Sequence, residues 1–324
     1  MNCNRKALVV GINYYDNGCN LCGCVNDAKR METVLSRNED GSPNFAVKSL
    51  LASDEISRIT RRQLKDSVED LFKDDSEVAL LYVASHGFVD STGGYLVTSD
   101  VCEGDEGLSM DDVLKFANSS RAKSKVIILD CCHAGRMGNI ANLPNSAMLN
   151  EGVTILAGST AEQYTSEKCG FGVYTSLLAD ALNGAAANLV GDVTPGSAYA
   201  LIDQTLGPWE QRPVFKTNVK NFVSLRRAKP PLKMEELRQL TTLFPNPDYD
   251  YPLDPSYEPE SGCPREENTA KFKVLQHFNR VNLVVPFGES AERNHMYFAA
   301  MDSKSCRLTA LGRHYWNLVK KGCV

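Results

Sequence analysis

Seven consecutive apolar residues, Val78 to Ala84 (VALLYVA), constrain this chain more than any other segment. Side chains of a strand alternate between two faces, so a strand with no polar residue at either parity must be covered on both. Lys6 to Ile12 (KALVVGI), Lys125 to Leu129 (KVIIL) and Val153 to Ala157 repeat the pattern, and Phe45 to Leu51 and Val214 to Val219 complete a set of strands. Between them the spacing becomes helical. Val25 to Leu35 carries Ala28, Met31, Val34 and Leu35, and Thr60 to Phe72 carries Leu64, Val68, Leu71 and Phe72. Asp111 to Ala117, Tyr174 to Leu182 (ending at Asn183-Gly184) and Ala198 to Leu206 read as further helices. Strands alternating with helices predict an α/β fold: a mostly parallel six-stranded sheet with helices on both faces.

The pattern changes near residue 228. Eight of the 14 prolines fall in 229–264, and 245–260 is acidic and tyrosine-bearing, which excludes a helix or central strand there and predicts an extended linker or arm. Residues 265–324 recover a fold pattern: a helix over Thr269 to Asn279, a ribbon from Val281 to Phe287 and His295 to Ala300, and a last helix over Leu311 to Val319. Helix, ribbon, helix in so small a unit is similar to part of a winged helix. The expected organisation is therefore 1–228 as the main domain, 229–264 as linker, and 265–324 as a small α+β unit for packing or for a regulatory protein partner. That unit carries ten Lys/Arg against five Asp/Glu, a modest excess that does not call for DNA.

Bulk charge adds exclusions. A net charge of −5 gives no reason to expect nucleic acid as a partner. No apolar run approaches the length of a membrane span. The polar N-terminal residues lack the layout of a signal peptide, so a cytoplasmic location is expected. Eleven cysteines, an odd number in a long chain, are expected as thiols.

Two strand ends carry the chemistry. The third predicted strand runs into Ala84-Ser85-His86-Gly87 and the fourth into Asp130-Cys131-Cys132-His133-Ala134-Gly135. Ligands of parallel sheets sit at the carboxyl ends of strands, so His86 and Cys132 can face one crevice although 46 residues separate them. A thiol is mostly protonated at neutral pH, and an adjacent imidazole raises its thiolate fraction and can later protonate a leaving amine.

The pattern Asp-x-Cys-His-x-Gly after a strand ending in His-Gly resembles the caspase-like cysteine peptidases, metacaspases and their bacterial relatives above all. Leu8 to Tyr14, Leu21 to Ala28, Tyr95 to Asp100 with Met110 to Asp112, and Gln211-Arg212-Pro213 agree, so the resemblance covers roughly residues 5 to 225. It implies a caspase-haemoglobinase fold and an endopeptidase with Cys132 as nucleophile, His86 as base, and the backbone N–H groups of Gly87 and Cys132 as oxyanion hole. Cys131 takes the variable position, and His133 is expected to be structural. A protein substrate follows, in stress response, regulated cell death or antiphage defence.

Specificity follows from charge. Asp130 stands two residues before the nucleophile, and the resemblance puts Asp27 in the same primary pocket; the alternative for Asp27 is a helix-start carboxylate. Two carboxylates favour a guanidinium or ammonium group, which predicts cleavage after Arg or Lys. Ser85 and Glu162, with Glu167, are further substrate-binding candidates. Ala84 departs from the family, which commonly has serine there. No cofactor is required by this chemistry. Asp100, Asp111 and Asp112 match positions that bind calcium in some metacaspases, with Asn139 in place of a fourth carboxylate; the alternative is a solvated acidic surface. Cys19, Cys22 and Cys24 near Cys3 lack a zinc-finger pattern and are expected to be structural. A protease for basic residues could cut itself at Arg136, Lys168 or Arg226, with Lys168-Cys169 the first candidate. The competing readings are a catalytically silent scaffold on the same fold, and a regulator that binds partners or DNA through its C-terminal unit.

Overall fold

The computed structural model describes residues 4–140, 143–160, 167–168, 170–207, 212–288 and 295–324. The chain divides into two compact units. The first is residues 1–187 and 191–229; the second is 188–190 and 230–324.

The first unit begins with β1 (Arg5–Ile12), α1 (Cys24–Ser36), β2 (Ala46–Ala52), α2 (Arg61–Lys73) and β3 (Val78–Ala84). A small antiparallel sheet of β4 (Gly87–Val89), β5 (Gly94–Leu96) and β6 (Leu108–Ser109) follows, then α3 (Met110–Ser119) and β7 (Ser124–Asp130). Next come β8 (Asn139–Ile140), β9 (Leu143–Ala147), β10 (Val153–Ala157), the hairpin β11 (Glu167–Lys168) and β12 (Phe171–Gly172), and α4 (Val173–Asp180). The unit closes with β13 (Asp192–Val193), α5 (Pro195–Thr205), β14 (Val214–Asn218) and β15 (Arg226–Arg227).

The main sheet has the order β14-β10-β7-β3-β1-β2. All its pairings are parallel except β10 with β14. The expected six strands are thus the six observed. All seven residues of β3 are buried, as a strand covered on both faces requires. Parity divides the core. Leu81, Val83, Ile127 and Leu129 pack with α2 and α3 residues such as Leu64, Val68 and Val113. Leu80, Tyr82, Val126 and Ile128 pack with α1 and α4 residues such as Ala28, Met31 and Leu178.

The second unit has its own core. It comprises α6 (Met234–Arg238), α7 (Leu240–Leu243), β16 (Tyr251–Pro252), α8 (Glu266–Arg280), β17 (Val284–Phe287), α9 (Met296–Met301), β18 (Ser305–Leu308) and α10 (Ala310–Lys320). Two expectations change here. Residues 230–264 are not an extended arm, because Leu237, Leu240, Leu243, Phe244, Tyr251 and Leu253 are buried in this core. The stretch between Pro231 and Pro245 has no proline, and its leucines support two short helices. The second half of the expected ribbon, His295 to Ala300, is helical: Met296, Ala299 and Ala300 are the buried residues, at i, i+3 and i+4. The strand that pairs with β17 is β18. Within 245–260 the only strand is the two-residue edge β16, as proline demands. Among the described residues no helix is long and apolar enough to cross a membrane.

Candidate active site

β3 and β7 lie side by side with Ala84 opposite Asp130, so Ser85-His86 and Cys131-Cys132 leave the sheet together. The strand order turns about β1. The chain steps from β1 to β2 on one side, then returns to β3 on the other. At such a switch point the loops after the two strands diverge and open a crevice at their carboxyl ends.

The loop after β1 holds His86. The Tyr15 hydroxyl accepts from the His86 backbone N–H (2.8 Å) and donates to the Ile12 carbonyl (3.2 Å). Its ring packs against the imidazole with centroids 4.8 Å apart. Burial pushes the Tyr15 phenol well above its ordinary pKa, so it remains protonated. The imidazole Nε2 lies 2.8 Å from the Cys19 carbonyl oxygen. A carbonyl only accepts, so Nε2 carries the proton, and Nδ1 of the neutral ring is left to take one.

Strand parity separates the two thiols. Cys131 continues the row of Ile127 and Leu129 into the core and is fully buried, and burial raises its pKa well above the ordinary thiol value. Cys132, one residue on, is partly exposed. The Ser159 hydroxyl donates to the Cys131 carbonyl (2.9 Å), and Gly135 N–H donates to the Ser159 carbonyl (2.9 Å). His133 adopts a left-handed conformation (φ 59°), which turns the backbone out of β7 into a single 3-10 turn, Ala134–Arg136. Gly87 lies directly against Cys132. A Cβ there would overlap the Cys132 carbonyl oxygen and come within 3.0 Å of its carbon. Only glycine allows the backbone after His86 to approach the cysteine this closely.

Asp130 shares the parity of Ile128, so it faces α4. Its Oδ2 accepts from the Thr175 hydroxyl (2.7 Å) and N–H (3.3 Å), and Thr175 Oγ1 is 2.5 Å from the Tyr82 hydroxyl. Asp27, in the first turn of α1, accepts the Gly172 N–H at Oδ2 (2.8 Å). Both carboxylates are buried and both adjoin Gly172: a Cβ there would overlap Asp130 Oδ2 and lie 2.9 Å from Asp27 Oδ2. Burial, and then the charges of Asp130 and Asp27, push the Tyr82 phenol far above its ordinary pKa. On the opposite face of the sheet, a cleft of about 460 Å³ flanks His86, with Tyr15, Phe88, Val97, Glu103 and Glu106 in its walls.

Other expected residues fall elsewhere. Ser85 is 3% exposed and its hydroxyl donates to the His86 carbonyl (3.0 Å). Glu162 and Cys169 lie outside the described residues. Lys168 is in β11, opposite Phe171. Arg226 is buried against the carbonyls of Arg37 and Leu182, which removes it as a cleavage site.

Asp100, Asp111 and Asp112 do not form a cation cage. Asp100 accepts the Arg61 N–H (3.0 and 3.2 Å) and the Thr98 hydroxyl (2.7 Å), and Asp112 pairs with Lys115 (3.0 Å). Among the described residues no group of three or more His, Cys, Asp or Glu is arranged to hold a metal, and this applies also to Cys19, Cys22 and Cys24. Tyr15, the Cys19 carbonyl, Gly172 and Thr175 were not marked by any sequence motif; they enter through contacts between segments far apart in the chain.

The profile of the caspase domain of peptidase family C14 matches residues 4–306, so the chain belongs to the caspase-domain family. The match continues past residue 225, where the motif resemblance ends. Among curated relatives, metacaspase-2 of Trypanosoma brucei brucei is 30% identical over 154 residues, 43% of each chain. Metacaspase-1 of Debaryomyces hansenii is 33% identical over 120 residues, 35% of this chain and 25% of that protein. The matches thus span less than half the length of these relatives. Caspase-1 of Spodoptera frugiperda superposes with a TM-score of 0.51 at 14% identity, covering 70% of this chain and 91% of that one. A Geobacter sulfurreducens protein gives 0.51 at 16%, covering 70% and 97%. The superposition on caspase-1, with the family match, establishes the α/β caspase-like fold.

Proposed function

We propose that the chain is a cysteine endopeptidase that cleaves proteins after Arg or Lys. The observation that carries the specificity is the pair of buried carboxylates, Asp27 and Asp130, which converge on Gly172; Asp130 ends β7 two residues before Cys132. A guanidinium or ammonium group offers them charge-assisted hydrogen bonds, whereas an aspartate side chain would bring a third negative charge.

In this reading His86 Nδ1 takes the Cys132 thiol proton and Sγ attacks the scissile carbonyl carbon. The resulting oxyanion meets the backbone N–H groups of Cys132 and Gly87. The imidazolium then protonates the leaving amine as the C–N bond breaks, giving a thioester. Water, deprotonated by His86, attacks the thioester; the acid product departs and the thiolate recovers the proton. The Cys19 carbonyl holds Nε2–H throughout, which supports the imidazolium and keeps Nδ1 toward the reaction. The substrate chain beyond the scissile bond runs along the cleft beside His86.

Self-cleavage at Lys168 belongs to the same proposal, since that residue lies in the hairpin whose Gly172 adjoins both carboxylates. A stress, cell-death or antiphage role is proposed on the family resemblance alone. The test of the specificity is a set of fluorogenic peptides differing only at the residue before the scissile bond. Arg and Lys peptides should be turned over and the Asp peptide should not; preference for Asp would overturn the reading.

A further inference from the structure

The segment leaving the candidate nucleophile is held by an unusual partner. Lys216 lies on β14, opposite Ile155 of β10, and shares a parity with Val214, which packs on the α2/α3 side of the sheet. Its half-buried ammonium donates to the Gly135 carbonyl (2.7 Å), the Met137 carbonyl (2.8 Å) and Asn139 Oδ1 (2.6 Å). An ammonium has three N–H donors and no acceptor, so this cluster saturates it with oxygen. All three acceptors lie between three and seven residues after Cys132. Burial lowers the Lys216 pKa to about 8, which leaves the group charged at neutral pH.

The composition of this cluster is informative. Where the family resemblance has a carboxylate of a calcium set, this chain has Asn139, which offers a neutral amide oxygen. Two of the other members are engaged separately: Asp100 at the first turn of α2, Asp112 with Lys115. A calcium ion requires six to eight oxygens, several of them anionic. A neutral set of two carbonyls and one amide instead suits a single positive charge. Convergence of three acceptors on one point also suits lysine better than arginine, whose donors are spread over a planar fork.

We infer that Lys216 is a built-in cation that positions the segment 133–139, so that the site is assembled without calcium. Lys216 is a positioning residue: it acts through Gly135, Met137 and Asn139 on the backbone of Cys132, which contributes to the oxyanion hole. The catalytic part of this inference rests on the cysteine peptidase reading; the attachment of the segment does not.

The test uses the full chain, wild type and Lys216→Met, which keeps the length of the side chain and removes its donors. Calcium titration calorimetry on the wild type should show no binding that alters the exchange of amides in 134–139. Those amides should exchange at least about tenfold faster in Lys216→Met, with melting still cooperative. Wild-type turnover of an Arg peptide should be the same in chelator and in millimolar calcium. In the variant kcat should fall about tenfold to a hundredfold with KM little changed, as expected when the reacting groups, not the pocket, are displaced. Wild-type activity lost in chelator and restored by calcium would overturn the inference, as would unchanged exchange in a folded variant. If the wild type cleaves no peptide, the exchange and calorimetry results still decide the brace, and it is the proposed activity that fails.

Discussion

Gly87 and Cys132 are in backbone contact: the residue that follows His86 abuts the carbonyl of the cysteine at the end of the neighbouring strand. This contact joins the two strand ends into one site and brings together the two N–H groups assigned to the oxyanion hole. It also leaves no room for a methyl group.

Gly87→Ala is therefore expected to disable the site even though the change is small. The added carbon must displace Cys132 backbone, which is not the flexible end of a side chain. A loss of about 1–3 kcal/mol in stability is expected from overpacking. A fall of about a hundredfold or more in kcat/KM is expected from displacement of the oxyanion donors. Denaturant titration and steady-state kinetics on the same preparation measure both.

Asp27→Asn and Asp130→Asn should each weaken cleavage after Arg. An amide keeps the shape but loses the charge, so about 1.5–3 kcal/mol of transition-state binding is expected to go, roughly tenfold to a hundredfold in kcat/KM. In Asp130→Asn the Thr175 hydroxyl can rotate to pair with the amide, and in Asp27→Asn the amide oxygen can still accept the Gly172 N–H, so both variants should fold. The ratio of Arg to neutral-residue peptides is the informative readout.

The two adjacent thiols should react differently. Iodoacetamide at neutral pH should label Cys132, which is partly exposed, and spare Cys131, which is buried with its pKa raised. Peptide mapping before and after denaturation distinguishes them: Cys131 should become labelled only after unfolding.

Alkali should unfold the first unit as three buried phenols ionise. Tyr15, Tyr82 and Tyr174 all have pKa values raised well above the ordinary figure of about 10, chiefly by burial. Their folded values exceed the unfolded ones, so above about pH 10 the unfolded chain releases protons that the folded chain retains. Stability is unaffected by these groups below that pH and falls as pH rises beyond it. Phenolate absorbance should show these three titrating together with loss of ellipticity, not before it.

Much of the fold was legible because its strands are buried on both faces. VALLYVA and KVIIL contain little that could face water, so neither register nor environment had to be known. Asp130 and Cys132 were legible because they follow such a strand directly. The supports of the site were not, because each contact spans a long stretch of chain: Tyr15 with His86 across 71 residues, Thr175 with Asp130 across 45, Lys216 with Gly135 across 81.

The second unit was read less well for local reasons. Proline content suggested an extended arm over 229–264, but prolines limit only the residues beside them, and the leucines between Pro231 and Pro245 pack as helices. A six-residue helix such as α9 shows fewer than two turns of its period, so its pattern passes for a strand. Phe244→Ala should accordingly destabilise the second unit by about 3–5 kcal/mol, as for a buried core aromatic and not for a residue of a linker. Chemical denaturation followed by Trp316 fluorescence measures this, since the Trp316 indole donates to the Phe244 carbonyl (2.6 Å).

The most direct measurement is cleavage of a peptide library by the full chain and by Cys132→Ala, with products identified by mass spectrometry. The account predicts cuts after Arg and Lys by the wild type and none by the variant. Cuts after Asp, or equal cleavage by Cys132→Ala, would contradict it.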